Sequence, residues 1–599
     1  MINADDVVVT ASRVPQPIQS VIADVSVITR EEIERAGQST FVELLQTQPG
    51  VEISSNGGMG SNASIFLRGT NSNQVLVLID GLRVNSVTDG RTNFGNIPLA
   101  QIERIEILRG PASSLYGQDA IGGVIQIFTK RSDGTPRLNA SLGYGTYNTK
   151  TAEAGLSGAT QDISYSMNIS SHDTDGFSAK RIRTGAQRDN DGYRNLSASG
   201  SLTYKISLDH EVGMQLFNSE GRVDYDSSNT FKNYADFTQT TIGIFSKNKI
   251  NDWWKSTIRA SESVDENNNF LSQSSVNRVR SKQDQYVWQN DFSITSGTLT
   301  FLVDRLEQKL ISNTPYDGTE RNTTGLFMGY IGQFQSHGLQ ANIRKENNSQ
   351  FGNQETGSIG YGYTFNEFWK FNSSIGTAFK APTFNDLYYP GGFAGKLYGN
   401  SELEPETSRN IEASIKYQSQ SEAYSITGYK NKIENLILFS GARCSGSSYI
   451  CNINEAEIKG LTLSGSKAWD TWLLKANYDI QSPKDANTDK LLPLRANRHG
   501  SISLSRDVNS WKFTTELVGS STRYQDTANQ FDLAGYAIIN FVTTYKINDD
   551  WSVQGRVNNL LDKQYALATS AYAIYGLNEP VYNTPGSNLF VSLSYSPSF

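Results

Sequence analysis

Ser64-Ile-Phe-Leu-Arg-Gly-Thr-Asn-Ser-Asn-Gln-Val-Leu-Val-Leu-Ile-Asp-Gly-Leu-Arg-Val-Asn85 decides how the rest of the chain is read. Val75 to Ile79 is an unbroken apolar run between polar residues and glycine, the pattern of a strand buried on both faces. Asp80-Gly81 closes it as a tight turn, because glycine accepts positive φ without a Cβ clash. Arg68 and Arg83 flank this unit, and the nearby acids Asp80, Glu103 and Glu106 are the expected neutralising partners. Alone, the stretch reads as part of a small soluble α/β domain. The remainder of the chain excludes that: roughly 465 residues of alternating, turn-punctuated, tyrosine-rich sequence without helical period. A compact unit ahead of such a chain reads as a plug inside a large barrel.

Bulk composition agrees. Only 37% of residues are hydrophobic, so by hydropathy the chain looks soluble. No run approaches the ~18 apolar residues of a membrane helix. A transmembrane barrel looks the same, because each strand shows only alternate residues to lipid. Tyrosines number 29, and 51 glycines stand against 15 prolines, a balance that favours strands and turns. The net charge of −7 argues against a nucleic-acid partner and fits acidic surface loops. His172, His210, His337 and His499 lie in no motif, and no Ser/His/Asp arrangement stands out, so an enzyme is not expected. Cys444 and Cys451 close a short flexible loop, which suggests a disulfide in an oxidising compartment; the alternative is two free thiols in a cytosolic one. Met1-Ile-Asn-Ala shows no secretory signal, and the barrel reading requires that one was removed.

In order, residues 1–12 form an N-terminal segment, 13–133 the plug and 134–599 the barrel. Asp5-Asp-Val-Val-Val-Thr-Ala11 is β-prone, either a first strand of the plug or a segment at a free end that pairs with another protein by strand addition. Thr29 caps a helix carrying Glu31 and Glu32 in its first turn and Ile33 on its inner face. Ser39 or Thr40 caps a second helix through Leu44 and Leu45, which Pro49-Gly50 stops. Val51 to Ile53 is a strand, and Asn56-Gly-Gly-Met-Gly60 is a loop with no lysine and helix after it, so not a nucleotide site. From Gly134 the period becomes two: Leu138, Leu142 and Tyr144, then Ile163, Met167 and Ile169, and finally Leu589, Val591, Leu593 and Tyr595 form one apolar face. About 21 residues per strand and connection give an all-β membrane protein of ~22 antiparallel transmembrane strands, a lumen wide enough to need the α/β plug.

Tryptophans recur in short turns at Trp253-Trp254, Trp369, Trp469, Trp472, Trp511 and Trp551, as in an aromatic girdle at one rim. His172–Asn195, Asn218–Phe237 and Tyr388–Glu404 are the expected long loops at the other end. Gln187-Arg-Asp-Asn-Asp-Gly192 gathers hard oxygen ligands of the kind Ca²⁺ takes; the alternative is a solvated turn.

Four motifs carry a family resemblance: Arg68-Gly-Thr-Asn71, Val75 to Arg83, Ile105-Glu-Ile-Leu-Arg-Gly-Pro111 and Leu115-Tyr-Gly-Gln-Asp-Ala-Ile-Gly-Gly-Val124. They resemble the plug of TonB-dependent outer-membrane transporters. Gly376 to Pro382, Asn400 to Glu406 and Val557 to Tyr565 resemble that family's later barrel motifs, and the terminal Phe599 resembles its assembly signal. Within the family, the likeness is to transporters of cobalamin (vitamin B12). The resemblance implies an outer-membrane protein of a Gram-negative bacterium, placed in lipid by the barrel assembly machinery. It implies that Asp5, Asp6, Val7, Val8, Val9, Thr10 and Ala11 form the Ton box seized by TonB and its inner-membrane energising complex. It implies a corrinoid ligand on Asn56, Asn62, Ser64, Asn71, Asp89 and Gly90 of the plug and on Ser227, Arg495 and Tyr524 of the barrel. It also implies structural calcium on Gln187, Asp189, Asp191, Tyr225, Asp226 and Asp236, although Ser178 stands where the family supplies a further Asp. A ferric siderophore or other metal chelate is the alternative cargo, and an open porin would need neither Ton box nor plug. Pro597 cannot donate to a strand ladder, so pairing is expected to stop near Tyr595.

Overall fold

The computed structural model describes residues 7–8, 10–37, 39–131, 134–180, 189–227, 230–393, 395–439, 444, 446–569 and 581–597. From Arg137 onward the chain forms a closed antiparallel barrel of 22 strands in sequence order. Arg137–Gly145 closes the ring against Asn588–Tyr595; the strand ends at Tyr595, with one more backbone bond from the Ser596 N–H to the Asp550 carbonyl at 2.8 Å. The alternation works as expected. Leu142, Met167, Ile169, Leu589 and Val591 are exposed on the outer wall, while Ser166, Asn168 and Ser170 between them are buried against the lumen.

The two ends differ. At one, strands are joined by short turns, and seven of the eight tryptophans lie there. Trp254, Trp369, Trp469, Trp472, Trp511 and Trp551 are first or last residues of their strands and Trp253 is in a turn, while Trp288 pairs with Ile258 farther up the wall. At the other end the expected loops are shorter than their polar sequence suggests. Ile163–Phe177, Asp191–Lys205, His210–Tyr225 and Asn233–Asn251 carry pairing deep into those segments, leaving 178–190 and 226–232 as connections. Beyond the lipid both strand faces meet water, so pairing continues without the apolar alternation that marks a strand. The connection 381–405 does hold its own structure, a short helix Phe384–Tyr388 and a small hairpin.

The plug fills the lumen. Its sheet runs in the order Val25–Thr29, Ile102–Arg109, Gly123–Thr129, Val75–Ile79, Leu82–Arg83. Val75–Ile79 is buried at all five positions and parallel to Gly123–Thr129. Asp80 (φ 52°) and Gly81 (φ 86°) make the turn back to Leu82. Arg30–Ala36 and Phe41–Gln46 are capped by Thr29 and Thr40, each in a capping box with a glutamate. One apolar core joins Ile28, Leu45, Val77 and Ile127 of the plug to Phe217 and Tyr536 of the wall.

The two arginines do not take the partners expected of them. Arg68 pairs with Asp24 and, at 2.7 Å, with Glu412 of the barrel; Arg83 pairs with Asp119 at 3.3 Å. Asp80 instead meets Arg131 at 2.6 Å and the Thr129 hydroxyl at 2.6 Å, and Glu106 meets Arg104 at 3.1 Å. Burial selects partners brought together by the sheet and the wall, not by sequence distance.

Candidate functional site

The site is built at the long-loop end, where the plug reaches highest. Val51–Ser55 and Ala63–Leu67 form a hairpin whose tip, 56–62, is held by the Asn56 N–H donating to the Asn62 carbonyl at 3.1 Å. Asn56 and Asn62 are exposed at that tip, and Ser64 is half-buried opposite Ser54. Met59 of the tip packs against Tyr193, Val223, Ala235 and Phe237. The hairpin therefore leans on the wall strands that carry the acid-rich connections. A second apical turn lies at 86–91, where the Gly90 N–H donates to the Ser86 carbonyl at 2.9 Å and Gly90 has φ 74°. Arg91 donates from its N–H at 3.0 Å and its Nε at 2.9 Å to Asp89, so this turn neutralises its own charge.

On the barrel side, Ser227 is exposed. Tyr524 is half-buried, and its carbonyl accepts the Leu494 N–H at 2.6 Å. Arg495 is only 5% exposed and is spent on the plug. Its Nη2 donates to Asn71 Oδ1, its Nε to the Gly69 carbonyl at 3.2 Å, and its guanidinium lies 4.2 Å from the Phe66 ring centre. Burial pulls its pKa down to about 10, although Glu52 acts the other way. The structure thus brings Asn71 and Arg495 together, but onto each other. Sequence reasoning missed the buried carboxylate below them, Glu52, and its partner Arg523.

At the acid-rich connections, Asp191 lies within electrostatic reach of Asp189, Asp224 and Asp226. Asp224 escaped the sequence reading, although Asp224-Tyr-Asp226 puts two acids on one face of an extended chain. Asp226 is pushed above the ordinary carboxylate range by burial and then by Asp189, against the hydrogen bond from the Lys180 N–H. Asp189 meets the Lys232 ammonium at 3.1 Å, and Asp191 accepts the Ala179 N–H at 2.6 Å. Asp226 also accepts from the Ser178 hydroxyl at 3.4 Å. Tyr225 ends its strand here, and Gln187 lies outside the described residues. Asp236 is engaged by Arg222 at 2.7 Å. The donor set is that of a hard cation, but among the described residues no three acidic, histidine or cysteine groups converge to hold one.

At the other end of the site's machinery, Val7 and Val8 pair with Pro17 and Gln16. Thr10 and Ala11 are buried, and Thr10 donates from its N–H at 2.9 Å and its hydroxyl at 2.6 Å to Glu106. Asp5, Asp6 and Val9 lie outside the described residues. Cys444 and Cys451 are joined in a disulfide, Cα–Cα 5.6 Å, between loop and wall.

Residues 17–124 match the TonB-dependent receptor plug domain, and residues 125–560 match the TonB dependent receptor-like β-barrel. The chain belongs to the TonB-dependent receptor family. It is similar over nearly its whole length to two curated proteins described as vitamin B12 transporter BtuB. That of Photobacterium profundum is 32% identical over 96% of this chain and 94% of its own. That of Vibrio vulnificus is 31% identical over 99% and 95%. Among solved structures, the Pseudomonas aeruginosa ferric enterobactin receptor superposes with a TM-score of 0.82 at 20% identity, covering 99% of this chain and 100% of that one. The siderophore receptor PirA of Acinetobacter baumannii gives 0.80 at 19%, covering 97% and 99%. These two likenesses concern the fold alone. The protein is a multi-pass β-barrel of the outer membrane and a TonB-dependent transporter. Outer-membrane barrels have short periplasmic turns and longer extracellular loops, and on that rule the short-turn, tryptophan-rich end of this barrel faces the periplasm.

Proposed function

We infer that this transporter takes up cobalamin. The observation that carries the reading is the full-length similarity to two vitamin B12 transporters at 31–32% identity. The apex supports it chemically. Its exposed groups are the carboxamides of Asn56 and Asn62, and Asp89 and Arg91 cancel each other, so the surface offers amide hydrogen bonding without uncompensated charge. That suits a corrinoid fringed with amides better than an anionic ferric chelate, which would call for free cationic groups. Asn56, Asn62, Ser64, Asp89, Gly90, Ser227 and Tyr524 contact the ligand, while Asn71 and Arg495 hold the floor beneath it. The outer membrane carries no nucleotide to hydrolyse, so work arrives mechanically through TonB, which adds a strand to Asp5–Ala11 once Val7, Val8, Thr10 and Ala11 leave their contacts with the plug. Asp189, Asp191 and Asp226 are the residues that would hold a calcium ion, which would supply the counter-charge that Lys232 gives Asp189 alone.

The test is equilibrium titration of purified protein with cyanocobalamin and, separately, with ferric siderophores, each with calcium and with chelator. Micromolar or tighter binding of cyanocobalamin alone is expected, at least tenfold weaker after chelation and in Asp191→Ala. Binding of a ferric chelate without cyanocobalamin overturns the cargo. Affinity indifferent to chelator removes calcium while leaving the cargo in place.

A further inference from the structure

Two extracellular segments, 486–497 and 521–535, are zipped to each other. The Leu491 N–H donates to Asn529 Oδ1 at 2.8 Å, Asn529 Nδ2 returns to the Leu491 carbonyl at 2.9 Å, and Lys490 reaches the Ala528 carbonyl at 2.8 Å. Ala496 and Arg523 form a bridge further down. The pair behaves as one flap carrying Tyr524.

That flap is anchored on the plug as much as on the barrel. Glu52, 3% exposed in the apical hairpin, accepts the Ala496 N–H at 2.8 and 3.0 Å through its two oxygens and Gln481 Nε2 at 3.2 Å. Its ion-pair partner is Arg523, 2% exposed, with Nη2 at 3.6 Å. Arg523 Nη1 also donates to the Ile53 carbonyl at 2.7 Å. Phe66, which pairs with Glu52 across the hairpin, carries the Arg495 guanidinium. A carboxylate this buried is tolerated only while its donors stay in place, and a buried guanidinium facing it carries the same condition. Glu52 and the flap therefore order each other: if the flap moves, Glu52 keeps only Gln481 of the wall, and if Glu52 moves, the Ala496 N–H and Arg523 lose their carboxylate.

We propose that Glu52 is the positioning residue that docks the 486–497/521–535 flap onto the plug, so that plug displacement during transport undocks the outer wall of the ligand site and loosens its grip. This rests on the reading of apex and loops as the ligand site. A ligand held by both plug tip and flap would otherwise resist inward movement with its full binding energy. Tying the wall to the plug makes grip and plug position one equilibrium, reciprocal by linkage.

The experiment uses the full chain in detergent, with a nitroxide attached through Gln530→Cys, an exposed position on the flap; both native cysteines are in the disulfide. Spectra without ligand compare wild type, Glu52→Asp, Glu52→Gln and Glu52→Ala, with a nitroxide through Ser227→Cys as the control. Mobility at residue 530 is expected to rise in Glu52→Ala, less in Glu52→Gln, which keeps the acceptor but not the charge, and least in Glu52→Asp, with residue 227 unchanged. Cyanocobalamin dissociation should quicken tenfold or more in Glu52→Ala. Unchanged mobility at 530 in a folded Glu52→Ala or Glu52→Gln barrel overturns the docking role. Raised mobility with an unchanged dissociation rate overturns the flap's part in holding ligand. The mobility measurement needs no ligand, so failure of the cobalamin reading would be seen separately, as absence of wild-type binding.

Discussion

Arg68 is 4% exposed, and its guanidinium is shared between Asp24 of the plug, Glu412 of the wall and the Tyr429 ring 4.5 Å away. Withdrawing that charge from water costs several kcal/mol unless partners surround it, and removing it leaves Asp24 with Arg109 at 3.5 Å and Glu412 with only the Ser374 hydroxyl at 3.2 Å. Arg68→Ala should therefore destabilise plug docking by about 3–5 kcal/mol. Amide exchange should accelerate in Val25–Thr29 and Ala63–Leu67 while the barrel amides stay protected. Unchanged exchange in those strands would mean that the pair is not holding the plug. The arginine is legible in the sequence, but its partners are not: Asp24 lies 44 residues before it and Glu412 lies 344 after. A charge next to a buried strand announces that a partner exists; only the closed barrel says which. Glu52 is hidden for the same reason, since alternation within a short strand does not reveal a donor 444 residues away.

At the scale of elements, the sequence is legible where the chemistry is local. The caps at Thr29 and Thr40, the Asp80-Gly81 turn and the end of pairing at Tyr595 all depend on neighbours in sequence. Polar strand ends read as loops because water removes the alternation that identifies a strand. The N-terminal segment reads either as a first strand of the plug or as a free end, and Val7-Val8 is paired while Thr10 and Ala11 are buried. A strand seized by TonB must first give up those contacts. Val8→Pro removes a backbone donor and fixes φ, so strand addition should fail. Uptake should fall to the level of a strain lacking TonB, while surface binding of ligand stays within twofold of wild type. Normal uptake in whole cells by Val8→Pro would sink the assignment of Asp5–Ala11.

The whole molecule poses a question of placement in lipid that the tryptophan rim answers. With seven of the eight tryptophans at the periplasmic end, that rim marks one boundary of an apolar belt about 25 Å tall. Ile343 is 62% exposed on the outer wall, six residues up the strand that begins at His337. At ~3.4 Å per residue and ~45° tilt it stands about 14 Å above the turn, near the belt's middle. Leu208 is fully exposed too, but in the turn between Lys205 and His210, outside the belt. Hydropathy treats these two side chains alike; lipid does not. Ile343→Lys should cost about 2–4 kcal/mol of folding free energy, and Leu208→Lys about 0–1. Reversible urea unfolding in lipid vesicles, followed by tryptophan fluorescence, measures both. Equal costs would mean that the tryptophans do not mark the lipid boundary, and the belt would have to be sought elsewhere along the strands.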